Sequence, residues 1–316
     1  MDRSDVTAAQ TRIHGRIVAT PLIADLSLSK RLGRRILYKC ELFQCTGSFK
    51  ARGALNWIAT ARPEELRRGL GAVSAGNHAI ALAWAAAEQG TPLTVVMPEN
   101  ASPRKVETSR ALGADVVLHG DINDAWALMH RLREEQGLTL VHPYDDLRII
   151  AGQGTLGLEL LKQAPDAACI LCPVGGGGLI SGLAMAVRAE RPALQVIGVE
   201  PEGAATLDFA WRQGGPARLP CVNTCAWSLG AAMAGEHTYA LSRDWVSALH
   251  QVSEQAIGAA LRHLIHTVRL LPEPGAAVGL ASLLEHGLPP GLGDGDIIVV
   301  LTGGNAGLDE LTQWLH

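Results

Sequence analysis

Short apolar runs rich in β-branched residues alternate along this chain with longer stretches rich in Ala, Leu and Glu. The spacing predicts strands over residues 35–40, 93–97, 115–119, 138–142, 168–174, 195–200 and 296–301. Helices are predicted over 78–89, 102–112, 123–135 and 154–163. Strand and helix in succession mean βαβ units, hence a largely parallel sheet flanked by helices. Several strands are apolar at every position, as a sheet covered on both faces requires. The chain is α/β in class. Its 316 residues correspond to two domains at roughly 150 residues each.

Hydrophobic residues are 47% and charged residues 18%, which excludes a disordered chain. The net charge is −4 with no Lys/Arg-rich block, so nucleic acid and anionic membranes have no electrostatic footprint here. The longest apolar run, residues 79–87, is well short of the ~18 residues of a spanning helix. A polar N-terminus lacks the apolar core of a secretory signal, and a soluble, cytoplasmic protein is expected. Cys169 and Cys172 form a CxxC, but within a strand residues three apart face opposite sides and cannot share a metal. His263 and His266 have no further ligands nearby in sequence and read as ordinary helix residues.

Four segments carry chemistry. In Pro173-Val-Gly-Gly-Gly-Gly-Leu-Ile-Ser181 a strand runs through Gly175, Gly176, Gly177 and Gly178 into a helix. Backbone N–H groups free of Cβ atoms, at a positive helix end, make a phosphate site; a tight structural turn is the alternative. The segment fits neither GxGxxG nor GxxxxGK[ST], which argues against a dinucleotide or nucleoside triphosphate. Lys50 follows the Thr46-Gly47-Ser48-Phe49 turn and opens a helix. The helix end and an apolar Phe49 both favour a neutral amine, the form a Schiff base needs, although most lysines are merely solvated. In Val73-Ser-Ala-Gly-Asn-His78, Ser74, Asn77 and the turn's N–H groups can hold a carboxylate or a polar ring substituent, or Ser74 can simply cap a helix. Thr302, in Leu301-Thr-Gly-Gly-Asn305, presents a hydroxyl after the last strand. All four segments follow strands, where open α/β sheets bind ligands. A phosphate cradle, a Schiff-base lysine and two polar turns imply a phosphorylated aldehyde cofactor.

TGSFKARGA, SAGNHA, AGQGT, PVGGGGL, GVEP and LTGGN stand in an order and spacing that resembles the fold-type II (tryptophan-synthase-β-like) pyridoxal-phosphate enzymes. The nearest subgroup is the serine/threonine dehydratase and serine racemase family, and the likeness runs from about residue 16 to 307. The resemblance implies two α/β domains: a large one of residues 1–68 and 147–316, and a small inserted one, 69–146, that closes over substrate. It implies that Lys50 carries pyridoxal 5'-phosphate and then acts as the base at Cα. By the same resemblance Gly175, Gly176, Gly177 and Gly178 bind the phosphate, Asn77 the 3-hydroxyl, and Phe49 packs near the ring. Ser74, Ala75, Gly76, Asn77 and the backbone around Thr46 receive the substrate. Thr302 meets the pyridine nitrogen without keeping it protonated, which favours prompt β-elimination over transamination. A homodimer is implied as well.

Two positions depart from the family's pattern. A divalent-cation site in some members uses a Glu, a carbonyl four residues on and an Asp six residues on; here Glu200 and Ala204 match but Thr206 stands third. Glu202 and Asp208 are out of register, so no metal is expected. Trp227 and Ser228 replace an Asp-Gly near cofactor and substrate, which opens the side-chain preference to 3-hydroxyaspartate or phenylserine. The expected activity is loss of water from a β-hydroxy-α-amino acid of the threonine or serine type, giving a 2-oxo acid and ammonia. A racemase on the same scaffold is the alternative. A non-catalytic cofactor-binding or amino-acid-binding protein has no use for Lys50, the glycines and Thr302 together.

Overall fold

The computed structural model describes residues 1–312 and Trp314. Its strands are β1 (Leu22–Ala24), β2 (Ile36–Cys40), β3 (Leu70–Val73), β4 (Leu93–Met97), β5 (Asp115–Leu118), β6 (Thr139–Leu140), β7 (Ala167–Pro173), β8 (Gln195–Pro201), β9 (Ala248–Val252) and β10 (Asp296–Leu301). They form two sheets. One has six strands in the order β1-β2-β10-β7-β8-β9, and the other four in the order β5-β4-β3-β6. Every pairing is parallel except β1 with β2. The second sheet is an insertion: its strands all lie between β2 and β7 in the chain.

Both faces of the six-stranded sheet are covered, and the apolar strands divide accordingly. Cys169, Leu171, Ile297 and Val299 enter one buried cluster, whereas Ile170, Cys172, Ile298 and Val300 enter the other. Cys169 and Cys172 are therefore on opposite faces. No group of metal-competent side chains exists among the described residues. His263 bonds Asp25 at 2.5 Å instead. Among the described residues no helix is long and apolar enough to cross a membrane.

The helices differ most at Leu147–Gln163, which starts well before the expected 154. Asp146 caps it, accepting from the N–H groups of Arg148 and Ile149. Its glycines let backbones touch. A Cβ on Gly152 meets the backbone of Arg52 and Gly53 at 2.6 Å, and one on Gly182 meets the Ile150 carbonyl at 2.2 Å. Glycine here packs this helix between the Lys50–Thr60 and Gly178–Arg188 helices. Two strands were not anticipated, β1 and β9; β3 was expected only as a strand leading into the Ser74 turn, without bounds. Strand β3 reads Leu-Gly-Ala-Val, of weak β-propensity, and at Gly71 the Met129 side chain packs directly on the strand, with Sδ 2.6 Å from where a Cβ would stand. The strand expected over 138–142 shortens to β6; Val141 still donates its N–H to the Gly71 carbonyl, and His142 lines the cleft.

Candidate active site

Three adjacent parallel strands, β2, β10 and β7, end side by side, and the loops that follow them supply Phe49 and Lys50, Thr302 and the four glycines. The turn after β3, in the inserted sheet, supplies Ser74, Ala75, Gly76 and Asn77 to the facing wall. Between them lies a cavity of about 700 Å³. Chain segments more than 200 residues apart thus share one cleft, at the carboxyl ends of both sheets.

Lys50 opens its helix at the cavity wall, and its Nζ donates to the Pro143 carbonyl at 2.7 Å. Burial lowers its pKa to about 8, with the nearby Glu273 pulling the other way. The amine stands 5.2 Å from the centre of the Phe49 ring. Two neighbouring imidazoles carry no charge at neutral pH. Burial brings His78 down to about 3 and His142 down to about 4, and the charge of Lys50 opposes protonation of both. His78 contacts the Val141 carbonyl, while Nδ1 of His142 accepts the Asp145 N–H at 2.8 Å. Trp126 stacks on His142, and Tyr144 meets its edge.

The glycine run has the form of a cradle. Gly177 has φ +90°, a left-handed conformation, and caps the Gly178–Arg188 helix, so that helix points its free N–H groups at the cavity. A Cβ on Gly176 meets the Tyr144 ring at 2.4 Å, and one on Gly178 meets the Tyr144 carbonyl at 2.8 Å. Only glycine fits, and an anion can approach the backbone directly. Thr302 is 3% exposed on the same wall, and no hydrogen bond involves its hydroxyl among the described residues. An amine that readily becomes neutral, an anion cradle and a free hydroxyl fit the donor set of a phosphorylated aldehyde cofactor.

Asn77 is engaged on both ends of its amide: Nδ2 donates to Glu273 Oε1 at 2.7 Å, and Oδ1 accepts from Asn305 at 2.9 Å. Ser74 turns its hydroxyl inward, where it accepts the N–H groups of Gly76 and Ala79. Ala75 and Gly76 line the cavity. Thr46 does not line it; its carbonyl accepts from Asn305, which positions it behind Asn77. Trp227 and Ser228 reach the cavity, with Trp227 exposed at the mouth. Sequence reasoning missed Lys105, Glu273, Asn305 and the His142-Pro143-Tyr144 segment. Asn305 ends the LTGGN motif itself, where only Thr302 was singled out; the others lie far along the chain from the motifs, and among them only the Glu273-Pro274-Gly275 turn gave a local signal.

At the cation position, both Glu200 oxygens accept backbone N–H groups, from Leu207 at 2.7 Å and Asp208 at 2.9 Å. Thr206 donates its hydroxyl to the Ala231 carbonyl at 2.5 Å. Asp208 turns to Gln251 and Arg212.

Residues 13–303 match the family of pyridoxal-phosphate-dependent enzymes, and the chain belongs to that family. Within it the chain is of the fold-type II, serine/threonine dehydratase-like kind, with pyridoxal 5'-phosphate as cofactor. It is 40% identical to an L-threonine ammonia-lyase of Geobacter sulfurreducens over 95% of this chain and 74% of that one. It is 36% identical to a phenylserine dehydratase of Ralstonia pickettii, over 96% of this chain and 93% of the relative. The structure of maize serine racemase superposes with a TM-score of 0.94 at 35% identity, covering 99% of this chain and 96% of that one.

Proposed function

We propose that this protein is a pyridoxal-phosphate-dependent ammonia-lyase that eliminates water from a β-hydroxy-α-amino acid, releasing a 2-oxo acid and ammonia. The observation that carries this reading is the position of Lys50. Its half-buried amine lines the same cavity as the glycine cradle and the turn holding Ala75 and Gly76.

When bound, the cofactor supplies an electron sink for the pair left at Cα as its proton departs. Gly175, Gly176, Gly177 and Gly178 would hold its phosphate through backbone N–H groups. Asn77 would hold its 3-oxygen, Phe49 would lie beside its ring, and Thr302 would offer its ring nitrogen a hydroxyl rather than a carboxylate. Lys50, its pKa brought down to about 8 by burial, would be the base that takes the proton from Cα. The turn of Ser74, Ala75 and Gly76 receives the substrate carboxylate. Trp126, His142 and Tyr144 stack into a wall that keeps water from the reacting atoms. Ala75 places a methyl group where a proton donor on the face opposite Lys50 would be needed for racemisation, so elimination is favoured.

Threonine and serine are the substrates taken first. A larger apolar β-substituent, as in phenylserine, is favoured over 3-hydroxyaspartate by a cavity wall that includes Trp126, Trp227, Ala231 and Met233. Closure of the 69–146 unit over substrate, a homodimer and a cytoplasmic location belong to the same proposal, on the resemblance to the family. The test is a screen of β-hydroxy amino acids for release of 2-oxo acid and ammonia. No release from threonine, serine or phenylserine by the cofactor-loaded protein overturns the reading.

A further inference from the structure

The groups assigned to the substrate carboxylate are all neutral: backbone N–H groups and a hydroxyl. A positive charge beside those N–H groups would further offset the cost of drawing a carboxylate from water into the cleft. Three cations line the cavity: Lys50, Arg218 and Lys105. Lys50 is committed to the cofactor, and Arg218 is exposed at the mouth. Lys105 is buried, in the helix Pro103–Ala111 of the inserted unit. Its Nζ lies over the carboxylate turn itself, 3.5 Å from where a Cβ on Gly76 would stand.

Its counter-ion is only loosely engaged. Nζ is 3.9 Å from Glu273 Oε2, longer than the 2.7–2.9 Å of a direct charge-assisted bond. Glu273 Oε2 is buried and has no hydrogen-bond partner, whereas Oε1 is taken by Asn77. The ammonium therefore has donors to spare, beside the turn and facing the cavity.

We propose that Lys105 is the charge that binds the α-carboxylate of the amino-acid substrate, with Glu273 as its resting counter-ion across the cleft. This rests on the amino-acid lyase reading, but on none of its detail about the β-substituent. Lys105 is a substrate-binding residue for any α-amino acid, and a ligand without the carboxylate has nothing to gain from it.

The experiment compares glycine with glycinamide on the cofactor-loaded protein, following the shift of the visible band. The two share an amine, and only glycine carries the negative charge. Lys105→Met should weaken glycine at least ten-fold and leave glycinamide within two-fold, with cofactor affinity unchanged. Lys105→Arg, which keeps the charge, should retain most of the preference for glycine and serves as the readout if the Met variant does not fold. Equal weakening of both ligands, an effect confined to cofactor affinity, or no effect on glycine overturns the proposal. Glycine has no β-hydroxyl to lose. Failure of the lyase reading therefore shows separately, as normal glycine binding without 2-oxo acid from any β-hydroxy amino acid.

Discussion

The guanidinium of Arg52 grips the carboxylate of Glu41 through two hydrogen bonds, of 2.8 and 2.7 Å, wholly inside the protein. Arg52 lies two residues beyond Lys50 on the same helix, and it also bonds Glu159 at 2.9 Å. Lys39 closes the network on Glu159, and Thr20 donates to Glu41 at 2.6 Å. The helix that aims Lys50 is thus anchored by charge beneath its first turn. Breaking a buried pair from one side leaves the other charge stranded, at a cost of about 3–5 kcal/mol. Arg52→Ala should lower stability in urea by that amount; a loss under about 1 kcal/mol would remove the anchoring role.

Lys50→Ala should abolish the visible band of the bound cofactor, and borohydride reduction of the wild type should label Lys50. In the apoprotein Lys50 titrates at about 8 against 10.5 for an ordinary lysine. Between those values the unfolded chain binds the extra proton, so apoprotein stability rises with pH across that window. Below pH 8 the buried charge costs about 3 kcal/mol. Lys50→Met should therefore stabilise the apoprotein at pH 7 and flatten its stability profile between pH 8 and 10.5. A label on another lysine, or an unchanged profile, contradicts the assignment.

Gly176→Val places a branched side chain where even a Cβ meets the Tyr144 ring at 2.4 Å. Cofactor affinity, read by titrating the apoprotein, should fall about a hundred-fold or more, since backbone and ring must both move. Affinity unchanged within two-fold would place the phosphate elsewhere.

Activity should survive chelation of divalent cations. Burial pushes Glu200 up to about 8, and both its oxygens already accept N–H groups from the start of the Thr206–Gln213 helix. Thr206 spends its hydroxyl on Ala231. Rates measured with and without EDTA should agree within two-fold. A large loss restored by magnesium or calcium defeats this expectation.

Elimination should outrun racemisation. Ala75 lines the cavity and has no proton to donate, and the Ser74 hydroxyl, which accepts the N–H groups of Gly76 and Ala79, keeps its own proton for the substrate carboxylate. Chiral chromatography of residual substrate should show antipode forming at under a tenth of the rate of 2-oxo acid. Ala75→Ser should raise that fraction. Antipode appearing as fast as the 2-oxo acid reverses the assignment.

By itself the sequence determined the α/β class, and it marked Lys50 and the glycine run because each stands in a short motif of neighbouring residues. Apolar runs report burial on both faces of a sheet, as Cys169 and Ile170 do by entering opposite clusters. Consecutive glycines report a close approach wherever the partner comes from. Strand β3 was legible only from the turn that follows it, because its own stability comes from burial rather than from β-propensity. The pairing of Lys105 with Glu273, and the passage from Thr46 through Asn305 to Asn77 and Glu273, were decided only by the tertiary structure. Those contacts join segments separated by well over a hundred residues, and nothing local marks their partners. Gly152 and Gly182, by letting helices touch along their backbones, set where the helices that begin at Lys50 and Gly178 stand relative to each other.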